Sequence, residues 1–272
     1  MGFISMERMI GKVALLFVLI LVLYDAFGQD RKGNSPQQLL QSQELQKRKS
    51  SRQNEVSEIQ QASQSAIALA KAALEAHGGD KFKNIKSLVI KGTAEVSGSP
   101  TATFPASFYI VFAGDKYVLE INNPIQPFKQ AYDGKQVSSS FPNFSLPPIN
   151  RLGLPLLQRL NEEGFVVSEL PSSGKNKKKL GFRITSPEGY YTDFFLDEKT
   201  KRVKSYEASY FVANRAVTTS VEIEKWREVE GIVWAERYFQ RFDLGNLAVY
   251  VDFRAKEILV NQQIDDEVFS MR

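Results

Sequence analysis

Few residues in this chain could carry chemistry. His77 is its single histidine, and there is no cysteine. Disulfides, thiolate metal sites and thiol nucleophiles are thereby excluded together, as is the acylated cysteine that anchors a bacterial lipoprotein. Ser138-Ser139-Ser140 lacks the G-x-S-x-G setting of a nucleophile elbow, and one histidine at a helix end is a poor triad partner. Gly78-Gly79-Asp80 lacks the Gly-Lys-Ser/Thr ending of a phosphate loop. Glu162-Glu163 and Asp265-Asp266 are adjacent pairs, and neighbours on a strand point to opposite faces, so neither pair builds a shared acid–base site. Both read as solvated turn carboxylates. His77 reads as a structural residue meeting the negative end of a helix dipole, with catalysis or metal binding as the alternative. The chain is expected to be no enzyme, with no cofactor and no metal.

The elements that surround these residues belong to an ordinary globular protein. Of 272 residues, 43% are hydrophobic and 24% charged, enough apolar surface for a real core. The net charge of +4 is mild and sits largely in Lys47-Arg48-Lys49 with Arg52, and in Lys175, Lys177, Lys178 and Lys179. The second group follows Pro171-Ser172-Ser173-Gly174 and reads as a solvated loop tip, or as a weak contact for anionic lipid headgroups. Neither group is accompanied by base-stacking or base-reading motifs, so no nucleic-acid partner is expected.

Arg8 and Lys12 precede an apolar run from Val13 to Leu23, and Ala26-Phe27-Gly28 offers small residues at a cleavage site. The run is shorter than the roughly 20 residues of a spanning helix, so residues 1–28 read as a signal peptide. An uncleaved anchor tethering the domain to the inner membrane is the alternative. Residues 29–62, rich in Gln, Ser, Lys and Glu, read as a polar linker. Residues 63–272 then form one domain, expected to be monomeric and exported, in the periplasm if the cell is bacterial.

That domain opens with an amphipathic helix. Ile59, Ala62, Ala66, Leu69 and Ala73 recur at helical steps, widened by Ile67, Ala70 and Leu74, and Gly78-Gly79 ends the run. Its alanines predict close approach to a sheet. About ten β segments follow, from Ser87 to Ala255, separated by turns such as Gly114-Asp115, Asp133-Gly134 and Glu230-Gly231. No helix long enough for a parallel crossover lies between them, which predicts an antiparallel meander. Alternation such as Val217, Thr219, Val221 and Ile223 makes one face apolar, and so many strands must curl. The fold class is therefore α+β, a curved antiparallel sheet forming a half-open barrel with a helix and a short helical lid or plug.

The lid or plug is Phe141 to Leu160, apolar but interrupted by Pro142, Pro147, Pro148 and Pro155, which leaves room only for short helices. It either fills the mouth of the curled sheet as fixed core or closes over a cavity. Candidate lining residues are Phe108, Ile110, Phe112, Phe144, Leu146, Ile149, Leu152, Leu156, Leu157 and Trp234. Such a cavity suits a lipid or acyl chain, because each buried methylene contributes roughly 0.8 kcal/mol. The rival reading is a filled-core interaction module that docks on an envelope protein partner.

Several pieces resemble the superfamily of periplasmic outer-membrane lipoprotein carriers and receptors. They are Ala76-His77-Gly78-Gly79 leading through Phe82 and Ile85 to Ser87-Leu88-Val89-Ile90-Lys91-Gly92-Thr93, and the hairpin Tyr132-Asp133-Gly134-Lys135. The aromatic strand and acidic turn Phe194-Phe195-Leu196-Asp197-Glu198-Lys199-Thr200 is a third, and the closing Ile258 to Phe269 a fourth. The resemblance covers most of Ser63 to Arg272. It implies a half-open barrel with a hydrophobic cavity for a lipid, acyl chain or lipoprotein moiety. It also implies an arginine that holds the lid closed, for which Arg151 and Arg159 are the candidates.

Overall fold

The computed structural model describes residues 63–99, 102–124, 127–141, 146, 148–171, 179–212, 215–243 and 248–271. The expected signal peptide, the linker, Phe144 and Lys175 to Lys178 lie outside them. Twelve strands are formed: β1 (Ser87–Ser99), β2 (Ala102–Ala113), β3 (Lys116–Asn122), β4 (Phe128–Tyr132), β5 (Val137–Ser139) and β6 (Val166–Ser168) precede β7 (Gly181–Thr185), β8 (Tyr191–Leu196), β9 (Val203–Val212), β10 (Arg215–Val229), β11 (Ile232–Asp243) and β12 (Ala248–Val260). All neighbours pair antiparallel in one curved, unclosed sheet ordered β5-β4-β3-β2-β1-β12-β11-β10-β9-β8-β7-β6.

This order corrects the expectation of one continuous meander. Two meanders, β1 to β5 and β6 to β12, are joined where β1 pairs with β12, from Leu88 opposite Val260 to Ser97 opposite Tyr250. Both strands are 13 residues long and carry inward apolar residues, so each is the other's best-matched partner. The register shifts at Lys91/Gly92. A Cβ on Gly92 would strike the Arg254 carbonyl and come 2.6 Å from the Phe108 ring, so the close approach requires glycine. Because β5 and β6 lie at opposite edges, the chain between them has to cross the sheet. That crossing is the proline-interrupted apolar segment, which forms two short 3₁₀ helices, η1 (Ile149–Arg151) and η2 (Leu154–Arg159).

The concave face holds the main core. Helix α1, described over 63–76, lays Ala66, Ala70 and Ala73 into it, and the short α2 (Asp80–Lys83) adds the fully buried Phe82. Ile67, expected to widen the buried stripe, is exposed. On the convex face a smaller cluster of Val89, Val111, Val118 and Ala131 is capped by Phe269 from a third 3₁₀ helix, η3 (Asp266–Phe269).

His77 is structural in a different way from the expected dipole contact. It is fully buried, and its Nδ1 donates to the Val233 carbonyl at 2.8 Å while Nε2 accepts from the Val203 amide at 3.2 Å. Its own carbonyl accepts from Val233 N at 2.9 Å, and Trp226 packs edge-on at 4.7 Å. The end of α1 is thus riveted to β9 and β11. Burial pulls the imidazole pKa down to about 4.

Candidate functional site

The crossing segment does not fill the concave face. Between it and the sheet lies a cavity of about 130 Å³. Alternation on the strands supplies its walls: Ile110 and Phe112 from β2, Leu119 and Ile121 from β3, Tyr206, Ala208 and Tyr210 from β9, and Thr219, Val221 and Ile223 from β10. Trp234, Ala235, Tyr238, Gln240 and Phe242 come from β11, Ile90 from β1 and Phe253 from β12. Leu146, Ile149, Leu152, Leu154 and Pro155 of the crossing segment form the roof. No acidic or basic side chain is among these lining residues.

Six of the candidate residues meet here: Ile110, Phe112, Leu146, Ile149, Leu152 and Trp234. Three do not. Phe108 sits in the wall, with its ring edge-on to Phe253 at 5.1 Å, and Leu156 and Leu157 are fully buried in the main core. Phe144 is outside the described residues. The sequence reading missed the walls from β9 and β10 and the polar members Tyr206, Tyr210, Thr219, Tyr238 and Gln240. Their alternation was visible, but which face curls inward is decided by the sheet.

Specific polar contacts hold the roof. Gln130, buried in the middle of β4, accepts from Leu146 N at 2.6 Å and donates to the Leu146 carbonyl at 2.8 Å. The same Nε2 donates to the Tyr117 hydroxyl at 2.5 Å, and burial pushes that phenol up to about 12. Asn150 Nδ2 donates to the Asp115 carbonyl at 2.7 Å, and Gln158 Nε2 to that of Phe82 at 2.9 Å. Gly153, at φ 64, donates from its amide to Thr192 Oγ1 at 3.2 Å and rests on Tyr206, whose ring would lie 2.7 Å from an added Cβ. Only glycine combines that backbone with that contact.

The two candidate lid arginines stand at opposite ends of the roof. Arg159 pairs with Asp115 on the β2–β3 turn and with Glu162 at 2.9 Å. Arg151 pairs with Glu188 on the β7–β8 turn at 2.8 Å and lies over the Phe165 ring at 6.0 Å. Each therefore links the roof to a turn from a different half of the sheet. The adjacent carboxylate pairs, read as solvated turn residues, have separate partners: Glu162 serves Arg159, while Asp265 accepts from Glu267 N and Asp266 pairs with Lys116.

No protein-family profile matches this chain, and no curated protein matches it in sequence. Among solved structures it is similar to a LolA superfamily protein from Nitrosomonas europaea, at 14% identity and a TM-score of 0.47, covering 75% of this chain and 97% of that one. A DUF1329 family protein from Desulfovibrio piger matches at 10% identity and a TM-score of 0.46, covering 76% and 97%. A domain from Vibrio parahaemolyticus, described as outer membrane lipoprotein-sorting, matches at 8% identity and a TM-score of 0.43, covering 76% and 97%.

Proposed function

We propose that the protein is an exported, non-enzymatic binder or carrier of a lipid, acyl chain or lipoprotein moiety, held between the concave sheet and the crossing segment. The observation that carries this reading is the cavity, roofed by a segment tied down at its rim and lined without a single charge among the described residues. A cavity of roughly 150 Å³ accepts a benzene ring, so the space as it stands takes about six carbons. Burying six methylenes contributes on the order of 5 kcal/mol before ordering costs, which is weak retention. A full acyl chain therefore has to lift the roof; in this reading Arg151, paired with Glu188, and Arg159, paired with Asp115 and Glu162, act as its latches. Export rests on the pattern of residues 1–28, with the periplasm as the matching compartment.

A second reading is favoured by the complete burial of Leu156 and Leu157. In it the segment is permanent core, and the protein is an interaction module docking on an envelope partner. Native mass spectrometry of the full chain, produced in a bacterial host and purified without detergent, separates the two. A stoichiometric lipid-sized adduct that disappears on organic extraction is the expected result. A clean apo mass with no uptake of added fatty acid, phospholipid or acyl ester would leave the interaction module standing.

A further inference from the structure

The polar groups facing the cavity are not equally satisfied. Thr219 Oγ1 donates to the Arg241 carbonyl at 2.9 Å and accepts from Gln240 Nε2 at 3.0 Å. No protein group among the described residues hydrogen-bonds Gln240 Oε1 or the hydroxyls of Tyr206 and Tyr238. Burial pushes both phenols above their ordinary range, and for Tyr238 the charge of Tyr206 adds to the effect.

The sheet register brings these groups to one side of the cavity. Tyr206 lies opposite Val221, and Val221 opposite Gln240, so Tyr206 and Gln240 share a row across β9, β10 and β11. Tyr238 stands two residues from Gln240 on the same strand face. Both rings are held in place: Tyr238 stacks on Phe253 at 4.7 Å, and Tyr206 lies under Gly153. The hydroxyls are thus fixed donors, and Gln240 Oε1 is an open acceptor.

We infer that the buried part of the occupant carries an uncharged hydrogen-bonding group, an ester or amide carbonyl, received by the hydroxyls of Tyr206 and Tyr238. Gln240 Oε1 is then available to an amide N–H or a hydroxyl of the same ligand. A pure hydrocarbon would leave these groups unmet in a space that water has left, which is costly. A carboxylate would lose its hydration with no cation among the described lining residues to receive it. An ester or amide avoids both penalties. This inference rests on the acyl-binding reading and narrows it.

The test titrates the full chain with methyl octanoate and with octanoate at pH 7.5, following tryptophan fluorescence, because Trp234 faces the cavity. The expected result is at least a tenfold preference for the ester. The double substitution Tyr206→Phe with Tyr238→Phe should remove that preference while leaving the melting temperature of the free protein unchanged or higher. A hydroxyl already serving the fold would lower it. Equal or tighter binding of octanoate, or full ester affinity in the double variant, would overturn the inference and leave acyl binding intact. Failure of both probes to bind would overturn it together with the acyl-binding reading.

Discussion

The imidazole of His77 ties protonation to folding. In the folded chain it is neutral, donating to Val233 and accepting from Val203, with a pKa near 4 set mainly by burial and lowered further by the charge of Arg202. In the unfolded chain it returns to about 6.5. Between these values the unfolded state binds a proton that the folded state refuses, so this contribution is complete above pH 6.5. It declines as pH falls and amounts to about 3 kcal/mol lost by pH 4. Urea unfolding at pH 7.5, 5.5 and 4.5 should show this slope. His77→Gln should flatten it while costing about 2 kcal/mol at pH 7.5, because the bonds to two strands are lost.

At the scale of elements, the crossing segment is the part with a choice of state. Its ion pairs are partly solvated, and such pairs contribute about 0 to 1 kcal/mol each. Arg151→Ala with Arg159→Ala should therefore barely move the melting temperature. It should accelerate hydrogen exchange across residues 149–160 and speed ligand uptake, and unchanged exchange would argue that the segment is fixed core. The strands themselves were largely legible from alternation and turns, and β4 and β9 have the boundaries their residues suggest. The apolar run Ser107 to Phe112 predicts a strand, but β2 starts earlier, at Ala102, and runs through Pro105. Pro105 still faces Glu95 of β1, but β3 has already ended at Asn122, opposite Ser107, so on that side no strand needs its missing amide. β12 runs on to Val260 because β1 offers a full-length partner. The site was legible only in part. Leu156 and Leu157 are as apolar as Leu152 and Leu154, and nothing local distinguishes a roof residue from core. Tyr206 and Tyr238 read as ordinary strand aromatics until curvature decides which face is concave.

At the scale of the whole molecule, everything depends on the β1–β12 seam. Its partners come from opposite ends of the domain, and such pairing must await long loop closures, which slows folding into the millisecond-to-second range or beyond. Gly92→Val is expected to prevent the seam from closing, since any side chain there meets the Arg254 carbonyl. Circular dichroism and size-exclusion chromatography should then show a chain without a cooperative thermal transition, whereas Gly98→Ala, in open space on the same strand, should unfold like the parent.

The seam also fixes how the domain answers to force. Leu88 and Val260 face each other at one extremity of the antiparallel ladder, so tension applied at those two residues loads the inter-strand hydrogen bonds in succession. The sheet would peel rather than shear and part at low load, separating the two meanders along their shared border and laying bare the concave face between them.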